Sequence, residues 1–136
     1  MPIEYTLVER GKPGAVASAP KKIYANAKSS GETTVRDLAE RISEISTVST
    51  VDVMAVLEAL FQTVPRELTS GRIVRMGEFG SFRVTLRGEG AESVKAFDAS
   101  LITDVNVSFS PGRLFDQAMQ GAQLRRAEAD KISGAK

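Results

Sequence analysis

Apolar residues recur every three or four positions in TTVRDLAERISEIS, a spacing that places them on one stripe of an α-helix. Thr34, followed three residues later by Asp37, has the form of a capping box, which closes the first turn of a helix. The pattern therefore predicts a helix that begins directly after Thr34. Its apolar stripe consists of Val35, Leu38, Ile42 and Ile45.

A second, longer helix is predicted after a short turn, because Ser49 and Asp52 repeat the start signature. Pro65 removes one backbone hydrogen bond near its end and is expected to kink the last turn, and Gly71 suits the left-handed position after it. The two helices form a hairpin. The second is too apolar to be the base-reading helix of a helix-turn-helix protein, so it requires a sheet or a second subunit as partner. Its stripe is Val53, Val56, Leu57, Leu60, Phe61, Val64 and Leu68.

Strand patterns follow at 72–76, 81–86, 95–97 and 103–109, and the last of these alternates apolar and polar residues strictly. A short helix is expected to start at Pro111, a residue that suits a first helical turn. The stretch IVRMGEFGSFRVTL contains Gly77 and Gly80, although glycine weakens a strand. These glycines indicate either a hairpin corner or a place where something approaches the backbone closely.

The chain divides into three predicted regions. Residues 1–30 are an N-terminal extension in which two strand-like segments could pair as a β-hairpin, residues 31–121 form the main domain, and residues 122–136 form a polar tail. The fold class is α+β. The main domain exposes more apolar helix surface than its few strands and short helix can cover, so we expect a homodimer with an intertwined core.

Composition excludes several classes of function. Among 136 residues there is no Cys and no His, which removes the usual zinc sites and the Ser/His and Cys/His catalytic pairs. We therefore expect no enzyme activity, cofactor, metal or small-molecule substrate. The sequence shows neither a run of about 18 apolar residues nor a secretory signal, so we expect no membrane association and a cytoplasmic location. The net charge is +1, but residues 1–30 carry +3 and residues 31–110 carry −4.

Two short motifs, FGSF at 79–82 and FSPGRL at 109–114, follow the helical hairpin. Together they resemble the bacterial HU/IHF family of histone-like, DNA-bending proteins. The first matches the end of the family's Gly-Phe-Gly-Thr/Ser-Phe turn, with Glu78 in place of the first glycine and Gly77 one residue earlier. The second fits the family's Phe-x-Pro-Gly-Lys/Arg motif. The resemblance spans about residues 33–121 and is strongest to the HU-related branch with an N-terminal extension.

The resemblance implies an HU/IHF-like dimer with a helical base and a three-stranded antiparallel sheet whose arms bind double-stranded DNA through its phosphates. Gly80 would let the backbone approach a phosphate. Arg83 and Arg87 match basic positions that face the DNA groove, and Arg113 matches the basic residue near the start of the last helix. Arg75 is a further candidate, and the Lys21-Lys22 pair would add phosphate contacts from the extension. The implied DNA-binding set is Arg75, Gly80, Arg83, Arg87, Arg113, Lys21 and Lys22.

The arm departs from the family pattern. Residues 83–104 carry a net charge of −1 and lack the proline with which the family wedges base pairs apart. We therefore expect modest bending and reduced counterion release. The expected function is DNA binding without strong sequence preference by a nucleoid-associated protein. The alternative is an HU-like protein-interaction or structural module with little DNA affinity.

Overall fold

The chain divides into two compact units in a computed structural model that describes residues 1–11, 14, 16 and 19–127. The central unit spans Thr34–Gln120, and the terminal unit combines Met1–Thr33 with the segment that begins at Gly121. None of the helices among the described residues has both the length and the apolar character needed to cross a bilayer.

Two helices open the central unit, α1 at Val35–Glu44 and α2 at Thr50–Thr69. The predicted capping box of α1 is confirmed: the Thr34 hydroxyl accepts from the Asp37 N–H at 3.2 Å, and the Thr34 N–H donates to the Asp37 carboxylate at 3.0 Å. The hydrogen bond that the carboxylate accepts from the Thr34 backbone, and after it a hydrogen bond with the Thr34 side chain, hold the pKa of Asp37 below its ordinary value. The Ser49 hydroxyl caps α2 in the same way, by accepting from the Asp52 N–H at 3.2 Å.

The end of α2 is fixed by a backbone motif. The helix runs through Pro65 to Thr69, and Gly71 takes the left-handed conformation with φ of 79°. Its N–H donates to the Leu68 carbonyl at 3.0 Å, while the Arg72 N–H reaches back to the Glu67 carbonyl at 3.3 Å. This pair of bonds is a Schellman motif, which satisfies carbonyls that the end of a helix leaves without partners.

A three-stranded antiparallel sheet follows, in the order β3 (Val74–Arg75), β4 (Gly80–Gly88) and β5 (Ile102–Pro111). Alternation along β4 and β5 separates two faces. The apolar face contains Val74, Phe82, Val84, Leu86, Val105, Val107 and Phe109. The strand predicted at 95–97 is wrong, because this segment forms a turn in which the Phe97 N–H donates to the Val94 carbonyl.

Two glycines allow the turn before β4 and the end of β5 to meet backbone against backbone. A Cβ on Gly80, where φ is 144°, would lie 2.5 Å from the Ser110 carbonyl oxygen. A Cβ on Gly112 would collide with the Glu78 carbonyl oxygen, and the Gly112 N–H donates to the Phe79 carbonyl at 2.9 Å. We call this the glycine contact. It joins the GEFGSF and FSPGRL segments into one structural feature.

The final helix of the central unit starts later than the sequence indicates. Pro111 belongs to β5, where it pairs with Gly80, and α3 spans Arg113–Gln120. The Gly112 carbonyl accepts from the Phe115 and Asp116 N–H groups at 3.1 and 3.3 Å, so Gly112 caps the helix. The prediction that the helix starts at Pro111 was wrong because the glycine contact holds the backbone at Gly112 outside the helix. Proline is tolerated at a strand end because it needs no partner for an N–H.

Four phenylalanines pack around the glycine contact. The Phe82 and Phe109 ring centroids lie 4.7 Å apart, and those of Phe79 and Phe115 lie 4.9 Å apart. Phe109 also contacts Phe79 and Phe115, at 5.8 and 5.6 Å, in the tilted and edge-on arrangements that aromatic pairs prefer. The cluster therefore links the turn, both long strands and α3.

Much of the apolar surface of the central unit is left uncovered by the residues that the structure describes. Among its described residues the buried apolar ones are Ala39, Val53 and Leu68, whereas Val107 is 61% exposed. Two open apolar grooves lie beside α2. One, of about 460 Å³, separates the end of α2 from the apolar face of the sheet; the other, of about 550 Å³, lies between α1, α2 and the phenylalanine cluster.

The terminal unit is a second three-stranded sheet. Strand β1 (Ile3–Arg10) pairs antiparallel with β2 (Lys22–Lys28) and parallel with β6 (Leu124–Arg126), in the order β2–β1–β6. The region 122–136, expected to be a polar tail, therefore supplies a strand, and residues 128–136 lie outside the described part of the chain. The sequence LRR has no alternation of apolar and polar residues that would predict a strand. This segment forms a strand because it pairs with the free edge of β1.

We predict that Gly112→Ala and Gly80→Ala each lower the free energy of unfolding by about 1–3 kcal/mol, since the added Cβ overpacks the glycine contact. Gly90→Ala is the matched control, because its Cβ would meet nothing within 4 Å and we expect little change. Urea unfolding of the three variants measures the difference. If Gly112→Ala were as stable as the parent chain, the backbone segments of the glycine contact could move apart without cost, and the prediction would be wrong.

The cap of α1 predicts a pH dependence. The pKa of Asp37 is lower in the folded chain than its ordinary value of 3.8. The ionised carboxylate therefore contributes its full stabilisation of the folded chain above pH 3.8, and this stabilisation is lost as the pH falls through the folded pKa. Asp37→Ala should therefore be less stable than the parent at neutral pH, and the gap should narrow in acid. Urea unfolding midpoints from neutral to acid pH provide the measurement, and a gap that stays constant would contradict the assignment.

Candidate nucleic-acid interface

The polar face of the β3–β4–β5 sheet gathers three of the predicted site residues. Arg75 pairs with Ser81 across β3 and β4. Arg83 and Arg87 follow Ser81 on β4 after two and six residues, an even spacing that keeps their side chains on one side. Arg75, Arg83 and Arg87 are all exposed. The strand register, rather than local sequence, brings Arg75 into this row. We define the polar face as Arg75, Ser81, Arg83, Thr85, Arg87, Asp104, Asn106, Ser108 and Ser110.

Charge on the polar face is unequal along its length. The face holds three arginines and one carboxylate, Asp104, which stands directly opposite Arg87 in the register. Arg83 instead faces Ser108, and Arg75 faces Ser81. The positive potential is therefore strongest at Arg75 and Arg83, and weaker at Arg87.

A hollow of about 260 Å³ lies where the polar face meets the glycine contact. Arg75, Ser81 and Ser110 line it together with Gly77, Gly80, Pro111 and Gly112. It combines one cation and two serine hydroxyls, which are groups that commonly contact phosphate oxygens.

Gly80 lines this hollow but is itself buried. The close approach that its missing side chain allows is made by Ser110 of β5 and by the Phe109 ring, which a Cβ would meet at 2.8 Å. The structure therefore explains this glycine by packing within the unit. A contact between Gly80 and a phosphate stays a prediction.

Arg113 lies at the first position of α3, and a carboxylate accompanies it. Its Nη1 is 3.6 Å from Oε1 of Glu78, and both side chains are well exposed. Glu78 stands in the turn next to the glycine contact, which brings the two residues together. An exposed pair of this kind contributes about 0–1 kcal/mol, so Arg113 could exchange this partner for a phosphate at little cost.

Lys21 and Lys22 belong to the terminal unit and are both exposed. Lys22 begins β2, where it pairs with Arg10, whereas Lys21 precedes the strand. The structure thus groups the predicted residues into a row of three on the polar face, Arg113 beside Glu78, and a lysine pair in the other unit.

Sequence reasoning missed the groups that modulate these arginines. Asp104 opposes Arg87, Glu78 pairs with Arg113, and Ser81 and Ser110 line the hollow. The alternation of β5 already predicts one polar face, but only the strand register shows which of its residues stand opposite which arginine.

Comparison with protein families gives one match of high coverage. Residues 1–126 match the model of the HU-HIG family, described as an HU domain fused to a wHTH, Ig or glycine-rich motif. The match includes the described strands of the terminal unit as well as the central unit. No curated protein sequence matches this chain.

Solved structures show the same fold. A protein from Bacteroides vulgatus, provisionally described as a bacterial DNA binding protein, superposes with a TM-score of 0.65 over 96% of this chain at 14% identity. This chain spans 50% of the length of that one. HU from Anabaena, in a cocrystal with DNA, superposes with a TM-score of 0.51 at 24% identity, over 65% of this chain and 98% of its own.

Proposed function

This chain belongs to the HU-HIG family, and from that premise we propose that it binds double-stranded DNA without strong sequence preference. The observation that carries the proposal is the row formed by Arg75, Arg83 and Arg87 on one exposed sheet face. The resemblance to HU adds to it, since one structure with this fold is HU crystallised with DNA. The cellular setting we propose is the nucleoid.

The mechanism is contact with phosphates. Guanidinium groups along a strand meet the regularly spaced charges of a duplex, and neutralising each phosphate releases condensed counterions, which drives binding at low salt. The hydroxyl and amide side chains that share the face, such as Thr85 and Asn106, donate to phosphate or sugar oxygens. None of these contacts requires a given base, so affinity varies little with sequence.

The arm beyond Arg87 limits the bending that we propose. The tip carries Glu89, Glu92 and Asp98 against Lys95 and contains no proline. Asp98 accepts hydrogen bonds from the Ser100 hydroxyl and N–H, which hold its pKa below the ordinary value, so it remains a carboxylate at neutral pH. A charged acidic tip is repelled by the duplex. The modest bend therefore depends on the foot of the arm, near Arg75 and Arg83.

A second candidate function is an HU-like interaction module with little DNA affinity. The observations that favour it are the two carboxylates placed against arginines of the site, Asp104 opposite Arg87 and Glu78 beside Arg113. If these carboxylates neutralise their partners fully, two arginines remain on the polar face to meet a duplex.

The functional form we propose is a homodimer. The two open grooves beside α2 are lined almost wholly by apolar side chains, and the apolar face of the sheet continues into one of them. Covering this surface would supply the core that the central unit lacks by itself, at about 25 cal/mol for each Å² buried. A second copy offers a surface of matching character.

We predict that replacing Arg83 and Arg87 together with Gln weakens binding to a random-sequence duplex. The slope of log K against log salt should become shallower by about 0.9 for each phosphate that the variant no longer neutralises. Fluorescence anisotropy at about 50 and about 200 mM salt measures both quantities. The double variant Arg36→Gln with Arg41→Gln removes equal charge from α1 and should bind as the parent does.

Two outcomes separate the candidate functions. Failure of the parent chain to bind the duplex even at about 50 mM salt would overturn the DNA proposal and leave the interaction module. Asp104→Asn gives the converse test, because it removes the carboxylate opposite Arg87 and should tighten binding.

The dimer predicts a solution mass of twice the 14.6 kDa of one chain at micromolar concentration. Val107→Asp places a charge in the groove between α2 and the sheet and should yield monomers or an unfolded chain. Val94→Asp makes the same change at an arm residue that is 93% exposed and outside both grooves, and should leave the mass unchanged. Light scattering coupled to size exclusion gives the answer, and a monomeric parent chain would refute the proposal.

A further inference from the structure

One face of the terminal sheet collects basic residues from all three of its strands. Along β1, alternate positions Glu4, Thr6, Val8 and Arg10 share a side, and the register places Lys28, Asn26, Tyr24 and Lys22 of β2 opposite them. Strand β6 adds Arg125 beside Glu4. We define the basic face by its charged members, which are Arg10, Lys22, Lys28, Arg125 and Glu4.

The basic face holds four cations and one carboxylate. Glu4 contacts Arg125 and lies 3.9 Å from Lys28, so it sits between two of the cations. Glu4 is the least exposed of the three, with 23% of its side chain accessible, whereas Arg125 is 61% accessible. The positive groups therefore project further towards solvent than the carboxylate that links them.

The remaining cations of the basic face lie at its other end. Arg10 donates to the Asn26 side-chain oxygen and stands 6.0 Å from the centre of the Tyr24 ring, contacts that hold its guanidinium over the sheet. Lys22 is its neighbour in the register and is exposed. Lys22 and Lys28 are six residues apart on an antiparallel strand, which corresponds to about 20 Å.

The opposite face differs in character. Ile3, Tyr5, Leu7, Ile23 and Leu124 alternate onto it, together with one carboxylate, Glu9, and one cation, Arg126. Glu9, the second acidic residue of β1, therefore does not lie on the basic face. The alternation of the strands instead places Arg10, Lys22 and Lys28 together on that face.

We propose that the basic face is a second binding surface for the phosphate backbone of double-stranded DNA. A row of cations about 20 Å long matches the phosphates along about six base pairs. Its single aromatic residue, Tyr24, already packs near Arg10, and the face offers no series of rings on which unpaired bases could stack. Its middle contains Thr6, which is buried, with Asn26 and Val8, and these provide little apolar area for insertion into a membrane. The proposal adds a surface to the function proposed above and is tested separately from it.

The first test removes the charges. In the full chain, Arg10→Gln, Lys22→Gln and Lys28→Gln together should weaken binding to a random-sequence duplex by about tenfold or more at low salt. The salt slope should become shallower by about 0.9 for each phosphate that is no longer neutralised. Circular dichroism and the urea midpoint establish that the variant is folded. An unchanged affinity and slope in a folded variant would overturn the proposal.

The second test changes net charge by the same amount on the two faces. Glu4→Gln removes the carboxylate between Lys28 and Arg125 and should tighten binding a few-fold, while Glu9→Gln on the opposite face should leave it unchanged. Equal tightening by both variants would assign the effect to total charge and refute a face-specific contact. Both single variants are expected to stay folded, because an exposed ion pair contributes only about 0–1 kcal/mol to stability.

The two binding surfaces are separated by comparing their variants. If the basic-face triple variant loses affinity while the Arg83/Arg87 variant does not, the basic face stands and the polar-face mechanism falls. The reverse result supports the polar face and overturns the basic-face proposal. Vesicles of phosphatidylserine and phosphatidylcholine test the other anionic surface. Vesicle binding that requires Arg10, Lys22 and Lys28, with no effect of these residues on duplex binding, would refute the DNA assignment.

Discussion

The central unit depends on the backbone contact that Gly80 and Gly112 permit. In both places a Cβ would enter the space of a neighbouring carbonyl group, so the turn before β4 and the end of β5 approach as closely as they do only with glycine at each position. That approach sets the register of β4 against β5, brings four phenylalanines together and fixes where α3 begins. The two short motifs that identify the fold are therefore the two sides of one physical contact.

The register of β4 against β5 separates the sheet into a polar face that carries arginines and an apolar face. A shift of one residue would move every side chain to the other face, so the row of Arg75, Arg83 and Arg87 and the apolar row behind it are determined together. The apolar row and the exposed side of α2 form grooves that none of the described residues fills. The arrangement that exposes the arginines on one side of the sheet thus also exposes an apolar surface on the other, as the proposed DNA-binding dimer requires.

The sequence predicted those features of the fold that depend on neighbouring residues. The cap at Thr34 and Asp37, the Gly71 terminator and the alternation of β5 each depend on residues within a few positions, and all three are present. Strand β6 could not be found this way, because its pairing with β1 joins residues about 120 positions apart and its sequence has no pattern of its own. Likewise, the sequence suggested the arginines of the site, but only the register shows that Asp104 stands opposite Arg87.

Total charge is a poor guide to this molecule because the pleat of its sheets distributes charge by face. Residues 31–110 are acidic overall, yet the polar face carries three arginines and one carboxylate. Arg83 and Glu89 are six residues apart, about 20 Å along an extended arm, whereas salt screens charges beyond about 8 Å at physiological ionic strength. The acidic tip therefore cannot cancel the positive potential at Arg75 and Arg83, although Asp104 reduces it at Arg87. In the function proposed for this chain, a duplex would therefore be held at the foot of the arm, beside the glycine contact, rather than at its end.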